Sequence, residues 1–171
     1  EPYRRQRQMC IRDSFSKIGS KPEMELIYVN EVLENATEYM RRRVSDKVLI
    51  TTHLPSDAEG AMVCLSLFEW VIENLCKNAV DAMNGEGRID VYMTSEKQQI
   101  YIDIKDTGKG IARKNFKTVF NPGYTTKKRG WGLGLTLAKR IIEDYHAGRI
   151  YVKDSEVGKG TIFRIELKRV V

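Results

Sequence analysis

The residues able to do chemistry fall into spaced groups. Asn74, Asn78 and Asp81 step by 4 and 3, so on a helix they share one face. Asp106-Thr107-Gly108-Lys109-Gly110-Ile111 puts a carboxylate just before a glycine turn. Gly130-Trp131-Gly132-Leu133-Gly134-Leu135 is a second glycine cluster, and it opens a helix. Gly158-Lys159-Gly160-Thr161 is a tight turn into a last strand. Between the first two clusters lies Phe120-Asn121-Pro122-Gly123-Tyr124-Thr125-Thr126-Lys127-Lys128-Arg129, a basic, hydroxyl-rich segment. Together these read as two walls of a nucleotide pocket with a lid between them.

The chemistry suits ATP. An inward carboxylate at Asp106 can accept a hydrogen bond from an adenine amino group, and glycines beside it let the backbone approach the base. Asn78 offers an amide oxygen to Mg²⁺, a hard cation that takes oxygen and phosphate ligands. Gly132-Leu133-Gly134 places free backbone N–H groups at a helix start, where phosphate is favoured. Neither a P-loop nor a Rossmann glycine fingerprint occurs, so those nucleotide sites are not supported.

The elements that must position these groups can be read from periodicity. Glu23 to Val29 is a strand, and Asn30 caps a helix running to Val44. Val48 to Thr52 is a second strand. Ala61 to Met83 is the longest helix pattern, with Leu65, Phe68, Ile72, Leu75 and Ala79 in one apolar stripe. The Asn74, Asn78 and Asp81 face lies beside that stripe. Asn is a poor helix former, and two of them one turn apart suggest a use beyond solvation. Arg88 to Thr94 and Gln99 to Lys105 alternate as strands. Asp106 shares the parity of Ile100, Ile102 and Ile104, which turns its carboxylate toward the buried side. Gly132 to Tyr145 is a helix with Gly148 as its stop. Arg149 to Lys153 and Thr161 to Leu167 complete the strands. Helices on one face of a mixed, mostly antiparallel sheet make a two-layer α/β sandwich.

The bulk numbers agree with one soluble domain. The chain has 171 residues, is 42% hydrophobic and 30% charged, and carries a formal charge of +6. The excess sits partly in Arg4, Arg5 and Arg7, in Arg41-Arg42-Arg43, and in Lys127-Lys128-Arg129 of the lid. No basic groove interleaved with aromatics favours nucleic acid. Cys10, Cys64 and Cys76 fit buried or incidental thiols in a reducing compartment. No apolar run reaches the roughly 18 residues of a spanning helix, so membrane contact is not expected. The chain opens on Glu1 without methionine and reads as a piece of something larger. Residues 1 to 22 read as the tail of a preceding helix plus a linker, and residues 23 to 171 as the domain itself.

From Glu23 to Leu167 the chain resembles the catalytic, ATP-binding domain of a bacterial sensor histidine kinase. Its superfamily includes the ATPase subunit of DNA gyrase, the ninety-kilodalton heat-shock chaperone and MutL. Glu73-Asn74-Leu75-Cys76-Lys77-Asn78-Ala79 resembles the N box. That resemblance implies Asn78 as a Mg²⁺ ligand, Asn74 beside the phosphates and Asp81 facing the same pocket. ATP-hydrolysing relatives carry a glutamate base where Asn74 stands. An amide cannot act as that base, so transfer is favoured over hydrolysis, although Glu73 is adjacent. Asp106 to Gly110 resembles the first glycine box, which implies that Asp106 binds adenine, with Gly108, Gly110 and Ile111 around it. Phe116 and Phe120 resemble the F box. Gly130 to Leu135 resembles the second glycine box, and Thr161 stands in the last glycine motif, near adenine. Thr125, Thr126 and Lys127 belong to the implied lid. The implied fold is the Bergerat type, a two-layer sandwich with an ATP lid.

The family's phosphoacceptor histidine sits on a separate dimerisation domain. His53 and His146 match no acceptor motif and read as ordinary surface or structural residues. The resemblance therefore implies a cytoplasmic fragment of a two-component kinase that binds ATP and Mg²⁺. Its implied partners are that histidine-containing domain and a response regulator. The parent protein is compatible with an inner-membrane anchor. Two alternatives stay open: a protein serine kinase of the anti-sigma type, and a nucleotide-binding interaction module without transfer.

Overall fold

The structure is a computed structural model that describes residues 22–124 and 134–170. Its elements are β1 (Glu25–Tyr28), α1 (Val29–Arg41), β2 (Val48–His53), β3 (Gly60–Val63) and α2 (Leu65–Ala82). They continue as β4 (Gly87–Glu96), β5 (Gln99–Asp106), α3 (Gly134–Arg140), β6 (Arg149–Glu156) and β7 (Gly160–Lys168). Ile141–Tyr145 extends α3 as a π-turn. Two short 3₁₀ turns, Arg113–Asn115 and Thr118–Phe120, follow the first glycine loop.

A five-stranded sheet runs β2-β4-β5-β7-β6. The β2–β4 pair is parallel and the other three pairs are antiparallel. Strict alternation builds one buried face from Ile89, Val91 and Met93, from Ile100, Ile102 and Ile104, and from Phe163, Ile165 and Leu167. The helices cover that face. From α2, Phe68, Ile72, Leu75 and Ala79 are buried as the stripe predicts, and Leu67, Val71 and Cys76 join them. Burial of each large side chain among them stabilises by about 1.5–3 kcal/mol. The opposite face is polar. There Arg164 forks onto Asp103 at 2.7 and 2.8 Å, and Lys153 approaches the same carboxylate at 3.3 Å.

The structure corrects the sequence reading at three places. Residues 60–63 form β3, which pairs antiparallel with β1, where a helix was expected from Ala61. Ala61-Met62-Val63 satisfies either period, and the partner strand decides. Asn30 does not cap α1, which starts one residue earlier, with Tyr28 in the cap position. Its amide instead donates to the carbonyls of Pro55 (2.9 Å) and Asp57 (3.0 Å) and accepts from Glu59 N–H (2.9 Å), fixing the β2–β3 loop. At the end of the π-turn, Ala147 takes the left-handed conformation (φ +51°). Gly148 is required for a different reason: a Cβ there would stand 2.3 Å from the Glu166 carbonyl oxygen.

Candidate nucleotide-binding site

Asp106 closes β5 with only 4% of its surface exposed. One carboxylate oxygen, Oδ1, accepts from Gly108 N–H at 2.8 Å and from Thr161 N–H at 3.3 Å. Its other oxygen has no hydrogen-bond partner among the described residues. Burial pushes the Asp106 carboxyl above the ordinary carboxylate range, and the two N–H donors oppose that shift. The parity expectation therefore holds: Asp106 points inward.

The glycine loop after it is clamped from three sides. Lys109 N–H donates to the carbonyl of Ala82, at the end of α2 (2.9 Å). Gly158 N–H, in the β6–β7 turn, donates to the Lys109 carbonyl (2.7 Å). Ile111 N–H donates to Ser155 Oγ (2.7 Å). Glycine is needed at these approaches. A Cβ on Gly110, which has φ +76°, would fall 2.2 Å from the Glu156 carbonyl oxygen. A Cβ on Gly108 would lie 2.8 Å from Ala82.

Ser155 is a site residue that the motif reading missed. Besides accepting from Ile111, its hydroxyl donates to the Gly160 carbonyl at 2.9 Å and lies 2.8 Å from Thr161 Oγ1. Its single proton is committed to Gly160, so Thr161 is the donor in that pair. Ser155 and Thr161 face each other in the β6–β7 register. Two hydroxyl residues flanking the Gly158-Lys159-Gly160 turn were the signal that could have exposed it.

The other wall is α2. Asn74, Asn78 and Asp81 share one face of this helix, as their spacing requires. Asn74 and Asn78 are half-buried and Asp81 is exposed. Asn74 Nδ2 is buried without a hydrogen-bond partner among the described residues. Gly134, the first residue of α3, sits against this amide; a Cβ there would lie 2.9 Å from Nδ2. The N box and the second glycine box are thus in contact. Glu73 is half-buried one position away, and its charge adds to burial in raising the Cys76 thiol to about 12. Phe120 is buried with its ring edge-on to Phe163 (6.1 Å), and its carbonyl accepts from Thr136 Oγ1 (2.8 Å). Leu135 is half-buried against the core. Thr125, Thr126, Lys127, Gly130, Gly132 and Leu133 lie outside the described residues.

The donor set fits Mg²⁺ with a nucleotide. Asn78 supplies a neutral amide oxygen, and no cluster of three or more His, Cys, Asp or Glu occurs among the described residues. Such an oxygen suits a hard cation that takes its other oxygens from phosphate and water. The Asn74 amide is a buried donor with no partner among the described residues, which a bound acceptor could satisfy.

Comparison with known proteins agrees with this geometry. Residues 65–171 match the family of histidine kinase-, DNA gyrase B-, and HSP90-like ATPases. Sporulation kinase A of Bacillus subtilis (strain 168) is 40% identical over 99 residues, covering 58% of this chain and 16% of that protein. Sensor kinase CckA of Brucella abortus (strain 2308) is 32% identical over 164 residues, covering 86% of this chain and 17% of that protein. The catalytic domain of histidine kinase ThkA superposes with a TM-score of 0.77 at 22% identity, covering 86% of this chain and 96% of that one. Full-length ShkA in complex with AMPPNP superposes with a TM-score of 0.80 at 20% identity, covering 91% of this chain and 33% of that one. The chain belongs to the histidine kinase-, DNA gyrase B-, and HSP90-like ATPase family. The family match and its kinase relatives put it among the ATP-binding catalytic domains of sensor histidine kinases, and the structural neighbours share its fold. It spans less than a fifth of the length of either relative named above.

Proposed function

We propose that this chain binds ATP with Mg²⁺ and transfers the γ-phosphoryl group to a histidine on a separate dimerisation domain, from which a response regulator takes it. The observation that carries the reading is Asp106: a buried carboxylate with one oxygen fixed by two backbone N–H groups and the other unpartnered among the described residues. That arrangement suits an exocyclic amino donor such as that of adenine. Gly108 and Thr161 hold the carboxylate, Ser155 ties Ile111 to Thr161 beside it, and Gly108 and Gly110 would let the base approach.

Asn78 would hold the Mg²⁺, which when bound neutralises phosphate charge during transfer. Asn74 donates toward the phosphates through Nδ2, and Asp81 and Glu73 flank that wall. Asn74 cannot take a proton from water, which biases the site toward transfer over hydrolysis. By the family resemblance, the remaining phosphate contacts would come from Gly134, the first residue of α3, and from Gly132, Leu133, Thr125, Thr126, Lys127 and Gly130, which lie outside the described residues. Little covalent chemistry is asked of these residues; positioning and charge neutralisation dominate. Residues 1–22, all but the last outside the described residues, we assign to the tail of the preceding domain and its linker, and 23–171 to the catalytic domain, on the cytoplasmic side of its parent.

Two neighbours bear on the partners. ShkA was solved with AMPPNP, and ThkA with the response regulator TrrA. Among the described residues of this chain no helix is long and apolar enough to cross a membrane. The test is phosphoryl transfer from labelled ATP to a supplied dimerisation domain of a sensor kinase. Label that is lost in acid and retained in base marks phosphohistidine and supports the reading. Acid-stable label on a partner would shift it to a serine kinase, and no label on any acceptor to an interaction module.

A further inference from the structure

His146 is 7% exposed at the end of α3, and the nucleotide chemistry does not use it. Its hydrogen bonds fix its chemical form. Nδ1 lies 2.8 Å from the Ile141 carbonyl oxygen, which can only accept, so Nδ1 carries the proton. Cys64 N–H, which can only donate, lies 3.0 Å from Nε2, so Nε2 presents a lone pair. The ring is a neutral, Nδ1-protonated imidazole. His146 N–H also donates to the same Ile141 carbonyl, at 3.2 Å, closing the π-turn.

The two partners of the ring belong to the two helices of the pocket. Ile141 opens the π-turn that continues α3, and α3 begins at Gly134, against Asn74. Cys64 immediately precedes α2, which carries Asn74 and Asn78. Phe68, in the first turn of α2, faces the ring at 6.2 Å. One imidazole therefore joins the far end of the second-glycine helix to the start of the asparagine helix.

We propose that His146 is a positioning residue: by bridging Cys64 and Ile141 its neutral ring holds α2 and α3 in the register that sets Asn74 against Gly134, and nucleotide affinity depends on that register. The proposal rests on the reading of this pocket as a nucleotide site. Protonation would break the bridge, because it sets a proton against Cys64 N–H and leaves that buried donor without an acceptor. The titratable neighbours are the Cys64 thiol from the α2 side, and Glu143, Asp144 and Tyr145 on its own segment. Across the groove beside the ring stand Lys97, Lys168 and Arg169. Arg169 pairs with Glu59, Glu143 accepts from Ile150 N–H, and Arg140 stacks on Tyr145. No carboxylate lines that groove among the described residues to stabilise an imidazolium. Burial lowers the basicity of the ring, and the Ile141 bond only partly opposes it.

The test uses the full chain, wild type and the variants His146→Gln and His146→Phe. Imidazole ¹⁵N NMR of the wild type should show the neutral Nδ1–H tautomer at pH 7 and protonation only below the ordinary histidine range. A non-hydrolysable ATP analogue is titrated calorimetrically from pH 8 to pH 5. His146→Phe keeps the ring volume and both bonds are lost; it should bind about 10-fold or more weakly, while His146→Gln, with one donor and one acceptor, recovers most of the affinity. The ratio of wild-type to His146→Gln affinity should fall on acidification, in step with the imidazole titration. An Nε2–H or charged ring at pH 7, or a folded His146→Phe that binds as the wild type does, overturns the proposal; the ring measurement decides even when that variant does not fold. Wild type that binds no nucleotide at all, with the tautomer as expected, refutes the nucleotide reading and this proposal's link to it, and leaves only a structural bridge.

Discussion

The two walls of the pocket are built to different degrees. On the Asp106 side the frame of the loop is bonded and one carboxylate oxygen is left open: two N–H donors hold Oδ1, Ser155 and Thr161 brace one another, and the Lys109 peptide is bonded on both sides. On the α2 side Asn74 Nδ2 is buried with no partner among the described residues. A group left in that state costs about 1–3 kcal/mol of desolvation. The difference teaches where rigidity and where a ligand are needed. Under the proposed function, a base would be received by a carboxylate held at one angle, and phosphate by a donor that the ligand itself satisfies.

The comparison can be broken by substitution, and the largest effect belongs to the finished wall. Gly110→Ala would force a Cβ to 2.2 Å from the Glu156 carbonyl oxygen at a φ of +76°. It should cost about 3 kcal/mol or more, read as a fall in Tm of roughly 6–12 °C or more. Gly158→Ala, at φ +84° with nothing within 4 Å, should cost only about 1–2 kcal/mol. Equal losses in thermal denaturation would show that close approach does not matter here. On the open wall the sign reverses. Asn74→Leu removes the orphaned amide and should leave stability unchanged or raise it by about 1 kcal/mol, while weakening ATP more than adenosine. A clear loss of stability would mean that the amide is satisfied in solution.

The pH response sharpens the contrast. The Asp106 carboxyl is raised by burial, so its folded pKa lies above the unfolded one. Its contribution to stability is therefore fully present below the unfolded pKa and is lost as pH rises through the folded pKa. Under the proposed function binding runs the other way, since an adenine amino group would need the ionised carboxylate as its acceptor. Affinity should fall on acidification at a higher pH than an ordinary aspartate would give, and Asp106→Asn should lack that step. His146 acts oppositely on stability. Its folded pKa is lowered, so the stability it gives is complete above the ordinary histidine range and is lost as pH falls below it. Denaturation midpoints measured from pH 8 to pH 5 should drop, less so in His146→Gln.

Much of this was legible in the sequence, for physical reasons. The alternation in β4, β5 and β7 and the stripe on α2 report burial directly, and the parity of Asp106 gave its direction. Asn74 and Gly134 are 60 residues apart, yet the resemblance of their motifs anticipated one pocket. Long-range hydrogen bonding was less visible. Asn30 looked like a helix cap because capping is local, whereas its partners stand 25 to 29 residues away. Residues 60–63 pair with a strand more than thirty positions earlier, which period alone cannot see. Ser155 and His146 act through backbone groups of distant elements, and residue type gives no sign of such partners.

The central claim is that Asp106 receives the base of a bound nucleotide. Calorimetric titration of wild type and Asp106→Asn with a non-hydrolysable ATP analogue, with and without Mg²⁺, and with adenosine, tests it most directly. The account predicts saturable binding by the wild type and a loss of about 10- to 100-fold in Asp106→Asn for both ligands, with Mg²⁺ affecting only the triphosphate. Binding that is the same in Asp106→Asn as in the wild type, or no binding by a folded wild type, would contradict it.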